Sequence, residues 1–231
     1  MRPVFATTFT ITYTLAMSEA ALIASTLRGS DEVVRDIAHR WGKNLCERCG
    51  VNVRSFGVDQ VDWDRPMVIA ANHQSLFDVP CLMAGLGRSF GFLTKKELFN
   101  VPAFGTAIRR LGCVPIDRHD AKSARLSIVE AAERVRGGAS IVVFPEGTRS
   151  ADGRLQPFKK GSFHLVQAAG VPMLPVGITG TSRVLAKNGW MVHAGDVVIR
   201  VGQPIACDGD DSAARERLRQ RMFEAIGRLI E

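Results

Sequence analysis

Aromatic side chains suited to stacking are scarce in this chain, which has one Tyr and three Trp among 231 residues. Single-stranded nucleic acid is bound by stacking bases on such rings, so that class is disfavoured. No arginine-rich helix or zinc-finger spacing compensates. Cysteine is also sparse, and its count of five is odd. That excludes a disulfide scaffold and suits a reducing compartment. Glycine has no period, heptads are absent, and no repeat recurs at solenoid or propeller lengths. Also missing are G-x-S-x-G, H-E-x-x-H, a P-loop and G-x-G-x-x-G, so serine hydrolases, zincins, NTPases and dinucleotide enzymes lose their signatures. What remains is an ordinary globular balance, 46% hydrophobic and 23% charged, with a net charge of +7. A surface of that sign favours anionic partners, whether phosphorylated small molecules, nucleic acid or an anionic membrane face.

No stretch is strongly apolar over the roughly 20 residues that a spanning helix needs. Residues 3–27 come nearest, but Thr7, Thr8, Thr10, Thr12 and Thr14 dilute them and Glu19 interrupts them. From Asp31 to Cys49 the apolar positions 34, 37, 38, 41 and 45 follow a helical step, with Arg35, His39, Arg40, Lys43 and Arg48 between them. Two readings stay open. One is a hairpin lying on or dipping into the cytosolic leaflet, by which residues 1–49 form a membrane-associated motif before an α/β domain of residues 50–231. On that reading, deletion of residues 1–48 leaves the α/β domain folded. The other is a pair of ordinary helices packed on the core. Cys46 and Cys49 form a C-x-x-C with no second pair to complete a zinc site, and two cysteines one turn apart on a helix explain it as well.

Beyond Val51, short apolar runs alternate with helical patterns. The runs predict strands at Val51–Phe56, Met67–Ala71, Phe90–Leu93, Cys113–Ile116, Ile141–Phe144, Met173–Ile178 and Val197–Val201. Helices are predicted at Val79–Leu86, Ala103–Leu111, Ala121–Arg136, Ser162–Ala169 and Ser212–Ile230. This alternation gives an α/β fold with a mixed, largely parallel sheet flanked by helices. In such sheets the chemistry gathers beyond the strand ends.

Two of those ends carry reactive residues. Asn72-His73-Gln74-Ser75-Leu76-Phe77-Asp78 follows one strand, and an Asp five residues after a His can fold back to orient the imidazole as a general base. Asp78 also precedes Val79-Pro80, where it can cap a helix. Ser75 reads as loop support. Phe144-Pro145-Glu146-Gly147-Thr148-Arg149 follows another strand, where Arg149 can hold a phosphate or pair with Glu146. Further cations lie near strand ends at Arg118, Lys95-Lys96 and Lys159-Lys160. Singly each reads as a solvated charge, and together they suit an anion.

Four stretches resemble the lysophospholipid acyltransferase family, the bacterial-type glycerol-phosphate and 1-acylglycerol-3-phosphate acyltransferases. They are Asn72 to Asp78 (N-H-x-S-x-x-D), Gly112 to Arg118, Phe144 to Arg149 (built on E-G-T-R) and Val171-Pro172-Met173-Leu174-Pro175-Val176. The resemblance implies acyl transfer from acyl-CoA or acyl carrier protein to the sn-2 hydroxyl of lysophosphatidic acid, giving phosphatidic acid in phospholipid biosynthesis. It implies His73 as general base and Asp78 as its orienting partner. Arg118 and Arg149 would hold the acceptor phosphate, with Lys96 or Lys160 as lesser candidates, while Glu146, Gly147 and Thr148 shape the loop. It implies no metal, no bound cofactor and no nucleic-acid partner. The expected location is the cytoplasmic face of the cell membrane, reached by the N-terminal helices or by a single span. Alternatives are another acceptor (lyso-ornithine lipid, another lysophospholipid, glycerol-3-phosphate) or a non-catalytic lipid-binding protein.

Overall fold

Two short strands are apolar throughout. β2 (Val68–Ala71) and β5 (Ile141–Val143) are buried along their whole length, as strands covered on both faces must be. They sit in the middle of a seven-stranded sheet, with β3 (Gly91–Lys95), β4 (Val114–Ile116) and β6 (Met173–Thr179) running parallel to them. Two outer strands, β1 (Val51–Phe56) and β7 (Gly195–Val201), pair parallel to each other, and β7 joins β6 antiparallel. The order is β1-β7-β6-β2-β5-β3-β4. The computed structural model describes residues 2–117 and 119–231.

Pro175 lies inside β6, where a missing N–H is normally excluded. It is tolerated because the β6–β7 ladder ends at Val176–Val201, and only its carbonyl is used on that side, accepting from Gly202 N at 2.9 Å. The five parallel strands thus end along one edge, with the loops after β2 and β5 side by side.

Helices cover both faces. On one lie α3 (Asp78–Gly85), α4 (Phe104–Arg110) and the N-terminal pair α1 (Pro3–Arg28) and α2 (Glu32–Arg48). On the other lie α5 (Ala121–Arg136), α6 (Gly161–Ala169) and α8 (Ser212–Ile230). A four-residue turn, α7 (Thr181–Val184), follows β6 and had no periodic signal to announce it.

The N-terminal pair settles on the packed reading in part. Val33, Val34, Leu45 and Cys46 of α2 belong to the same buried cluster as Leu82 and Met83 of α3 and Ile69 of β2. At Gly42 a Cβ would stand 2.8 Å from Met83 Cβ and 2.9 Å from Pro80 O, so α2 crosses α3 backbone to backbone. Among the described residues, the N-terminal pair and the α/β layers therefore share one core, and a deletion of residues 1–48 strips a buried face from the remainder. The hairpin's outer side differs. Val4, Phe5, Ile11, Leu15, Ile23 and Leu27 of α1 are exposed. Among the described residues no helix is long and apolar enough to cross a membrane. The C-x-x-C divides its cysteines. Cys46 Sγ faces Cys81 Sγ at 3.8 Å, and Cys49 Sγ meets Thr10 Oγ1 at 3.6 Å. No group of three His, Cys, Asp or Glu among the described residues is placed to hold a metal.

Candidate active site

β2 ends at Ala71, and Asn72 continues it with its side chain. Its Nδ2 donates to Ile178 O at 2.8 Å, and its Oδ1 accepts from Ile178 N at 2.7 Å. The amide thus mimics one more residue of strand pairing to β6 and holds the loop root rigid. His73 comes next, 14% exposed, with its ring stacked on Phe144 at 4.0 Å between centroids.

Asp78 is fully buried at the first residue of α3 and does not cap that helix. Its Oδ2 instead faces backward into the loop, accepting from Gln74 N at 2.8 Å, from Ser75 N at 2.9 Å and from His73 Nδ1 at 2.7 Å. The backbone donors fix the carboxylate, and the carboxylate fixes the ring. Nδ1 is committed to Asp78, so Nε2 is the nitrogen left for chemistry. Ser75 is loop support, as expected: its hydroxyl donates to Leu185 O at 2.7 Å and accepts from Phe77 N at 3.1 Å.

The loop after β5 approaches from the neighbouring strand. Glu146, 2% exposed, accepts His73 N at 2.6 Å on one oxygen and Gln156 N at 3.0 Å on the other. Ser150 N donates to His73 O at 2.7 Å, so the two loops are stitched from both sides of His73. Burial pushes the Glu146 carboxyl up to about 7, with a smaller push from nearby Asp78, against the two backbone N–H donors that favour its charged form. These bonds replace the Glu146–Arg149 ion pair offered by the sequence. Arg149 is half-buried and has no side-chain hydrogen bond or ion pair among the described residues, which leaves its guanidinium for a ligand.

Gly147 turns the loop with φ +71°, and Lys159 runs along it so closely that a Cβ would lie 2.8 Å from Lys159 Cδ. Lys159, not Lys160, therefore flanks the Arg149 turn. Lys160 lines a separate cleft with His164 and Arg215 on the α6–α8 side. Thr148 is exposed on the turn. Lys96 is held by Asp117 at 2.5 Å, which raises its pKa and lowers that of Asp117. Arg118 lies outside the described residues.

From His73 an apolar cavity of about 680 Å³ opens beneath the hairpin. Its walls come from Met17 and Ala21 of α1, Trp41 of α2, Phe77, Met83 and Ile108. This accounts for three of the five threonines that diluted residues 3–27. Thr7, Thr10 and Thr14 line the cavity, and each hydroxyl donates to the carbonyl four residues earlier, at 3.0, 2.8 and 2.7 Å. Thr14 also accepts the Trp41 indole N–H at 3.0 Å. Sequence reasoning missed this cavity, the Phe144 stack and the Asn72 bridge. Only Phe144 left a signal, as a ring at a strand end directly before Pro145-Glu146.

An acyltransferase family model matches residues 52–179, which contain both loops and the strands that carry them. The chain belongs to this acyltransferase family. A 1-acyl-sn-glycerol-3-phosphate acyltransferase of Saccharomyces cerevisiae is 30% identical over 89% of the chain and 70% of its own length. The chloroplastic enzyme of that name from Brassica napus is 41% identical over 62% of the chain. This chain covers about 41% of that Brassica sequence and 40% of the Arabidopsis thaliana chloroplastic relative, well under their full length. The crystal structure of the 1-acyl-sn-glycerophosphate acyltransferase PlsC from Thermotoga maritima superposes with a TM-score of 0.83 at 27% identity, covering 98% of this chain and 95% of that one. The hairpin of this acyltransferase is thus part of the shared fold.

Proposed function

We propose that this acyltransferase moves an acyl group from a thioester donor to the sn-2 hydroxyl of 1-acylglycerol-3-phosphate, giving phosphatidic acid. The observation that carries the reading is a His–Asp dyad standing at the head of an apolar cavity, with an uncommitted arginine on the adjoining loop. A thioester is already activated, so no enzyme nucleophile is required. His73 Nε2 takes the proton of the acceptor hydroxyl while that oxygen bonds to the thioester carbonyl carbon. The C–S bond then breaks, and the departing sulfur takes the proton from the imidazolium. Asp78 orients the ring and balances the charge it carries between those steps, as in a triad without its serine. Arg149 binds the acceptor phosphate as a forked donor, with Lys159 beside it. The cavity takes an acyl chain. Its volume lies inside the range of about 300–1,000 Å³ typical of small-molecule sites.

The exposed apolar side of α1 has a purpose on this reading, because acceptor and product are lipids. It lies on a membrane surface while the donor comes from the aqueous side.

The test uses purified protein in mixed micelles with palmitoyl-CoA and 1-acylglycerol-3-phosphate, following thiol release and lipid product. Thiol release with phosphatidic acid, abolished in His73→Ala, is the expected result. Thiol release without lipid product would mean hydrolysis. Absence of thiol release with both acyl-CoA and acyl carrier protein would favour a lipid-binding protein instead. Removal of Arg149 is expected to raise the acceptor KM by about tenfold to a hundredfold, the worth of a charge-assisted bond.

A further inference from the structure

The sheet face opposite the hairpin carries α5, α6 and α8, and its surface is cationic. Lys160 at the head of α6, His164 one turn on, and Arg215 and Arg219 of α8 line a cleft of about 140 Å³. Burial lowers the His164 pKa, and the charges of Arg215, Arg125 and Lys160 lower it further. Glu216, also in the cleft, is spent on Arg219 at 2.9 Å. Lys122, Arg125 and Lys160 have no side-chain ion pair among the described residues.

Beside the cleft, α5 turns two apolar side chains to solvent, Leu126 at 64% and Val129 at 46% exposure. Lys122 precedes Leu126 by one turn, and Arg125 precedes Val129 by one turn. The carboxylate before them, Asp120, caps the helix by accepting from Lys122 N at 3.0 Å, and the acidic residues within α5 come further along, where Glu130 is held by Arg134 at 2.9 Å and Glu133 follows.

A lipid surface does not fit this patch, because α1 and its apolar side lie on the other face of the sheet. A free nucleotide finds no large aromatic ring to stack on there, since Phe163 is buried in the core and the exposed ring of the cleft is the small imidazole of His164. Two exposed apolar side chains framed by unpaired cations suit an acidic protein with an apolar centre to its contact surface. The patch also has an address. α6 begins at Gly161, two residues after Lys159, which lies over Gly147 beside His73.

We infer that Lys122, Arg125, Leu126 and Val129, with Lys160 and Arg215, form the docking surface for an acidic acyl carrier protein, whose flexible arm brings the thioester to His73. This rests on the acyl-transfer reading above. The experiment compares full-length wild type with Arg125→Glu/Leu126→Asp, using palmitoyl-acyl carrier protein and palmitoyl-CoA as alternative donors. Melting curves check that the variant is folded. The expected result is a loss of about tenfold or more in kcat/KM for the carrier-protein donor through its KM, with the CoA donor within about twofold of wild type. Equal loss with both donors, or no loss with either, overturns the inference. So does a wild type that turns over only acyl-CoA. Fluorescence anisotropy of labelled acyl carrier protein decides the matter even if neither donor reacts. Binding that is weakened by the double substitution and by added salt supports the surface, and unchanged or absent binding overturns it, whereas silence in turnover alone counts against the acyl-transfer reading.

Discussion

Asp78 places one oxygen against three N–H donors, two of them backbone, and so holds His73 without any contribution from the imidazole's other side. Asp78→Asn keeps the size of the side chain and removes the charge that balances the imidazolium. It is expected to lower kcat by about a hundredfold to ten-thousandfold with little change in acceptor KM, measured under saturating donor. Glu146 carries a different consequence. Its carboxyl titrates near 7 in the fold against an ordinary value of 4.5. Between those values the native protein keeps a proton that the unfolded chain has released, so this group's contribution makes stability fall as pH rises through that window. Urea midpoints at about pH 5 and about pH 8 test this: the decline in wild type is expected to flatten in Glu146→Gln. An equal slope in both proteins would assign the decline to other groups. The pairing of His73 with Asp78 was legible from the motif. The use of Glu146 was not, because a sequence offers Arg149 as its obvious partner and says nothing of two backbone amides brought from other turns.

At the scale of elements, most boundaries were legible within one or two residues. α5 and α8 run over the predicted spans because a long amphipathic stripe fixes both period and length, and Asp120 and Asp211 cap them by accepting from Lys122 N and Ala214 N. α7 was missed because four residues hold too little periodicity to read. The N-terminal helices were legible as helices, yet their partners were not. Leu45 is buried where α2 meets the core of the α/β layers. Leu45→Ala is expected to destabilise the whole chain by about 2–5 kcal/mol in a single cooperative transition, read by denaturant unfolding. A separate low-stability transition of the hairpin would contradict the shared core. α1 also walls the cavity. Ala21→Phe puts a ring into that space, and the expected outcome is a preference for shorter acyl chains in a series of donors, with activity on the shortest retained.

The whole molecule has two unlike sides, an apolar one along α1 and a cationic one along α5, α6 and α8. The apolar side predicts that Phe5→Asp with Ile11→Asp weakens co-sedimentation with anionic liposomes and leaves the melting temperature within a few degrees, since both side chains are solvent-exposed. Unchanged co-sedimentation would remove α1 from the membrane contact. What the sequence determined by itself was local and periodic: the alternation of strand and helix, the turn residues, and the His73–Asp78 and Glu146–Arg149 loops at strand ends. Hydrophobic period and short-range spacing are written along the chain, and they need no knowledge of distant partners. What only the tertiary structure decided was long-range. It bound Glu146 to His73, set Lys159 rather than Lys160 over Gly147, and gave Thr7, Thr10 and Thr14 of α1 a cavity to line. Each of these depends on which strand lies beside which, and that order follows from burying every apolar face at once rather than from any one segment.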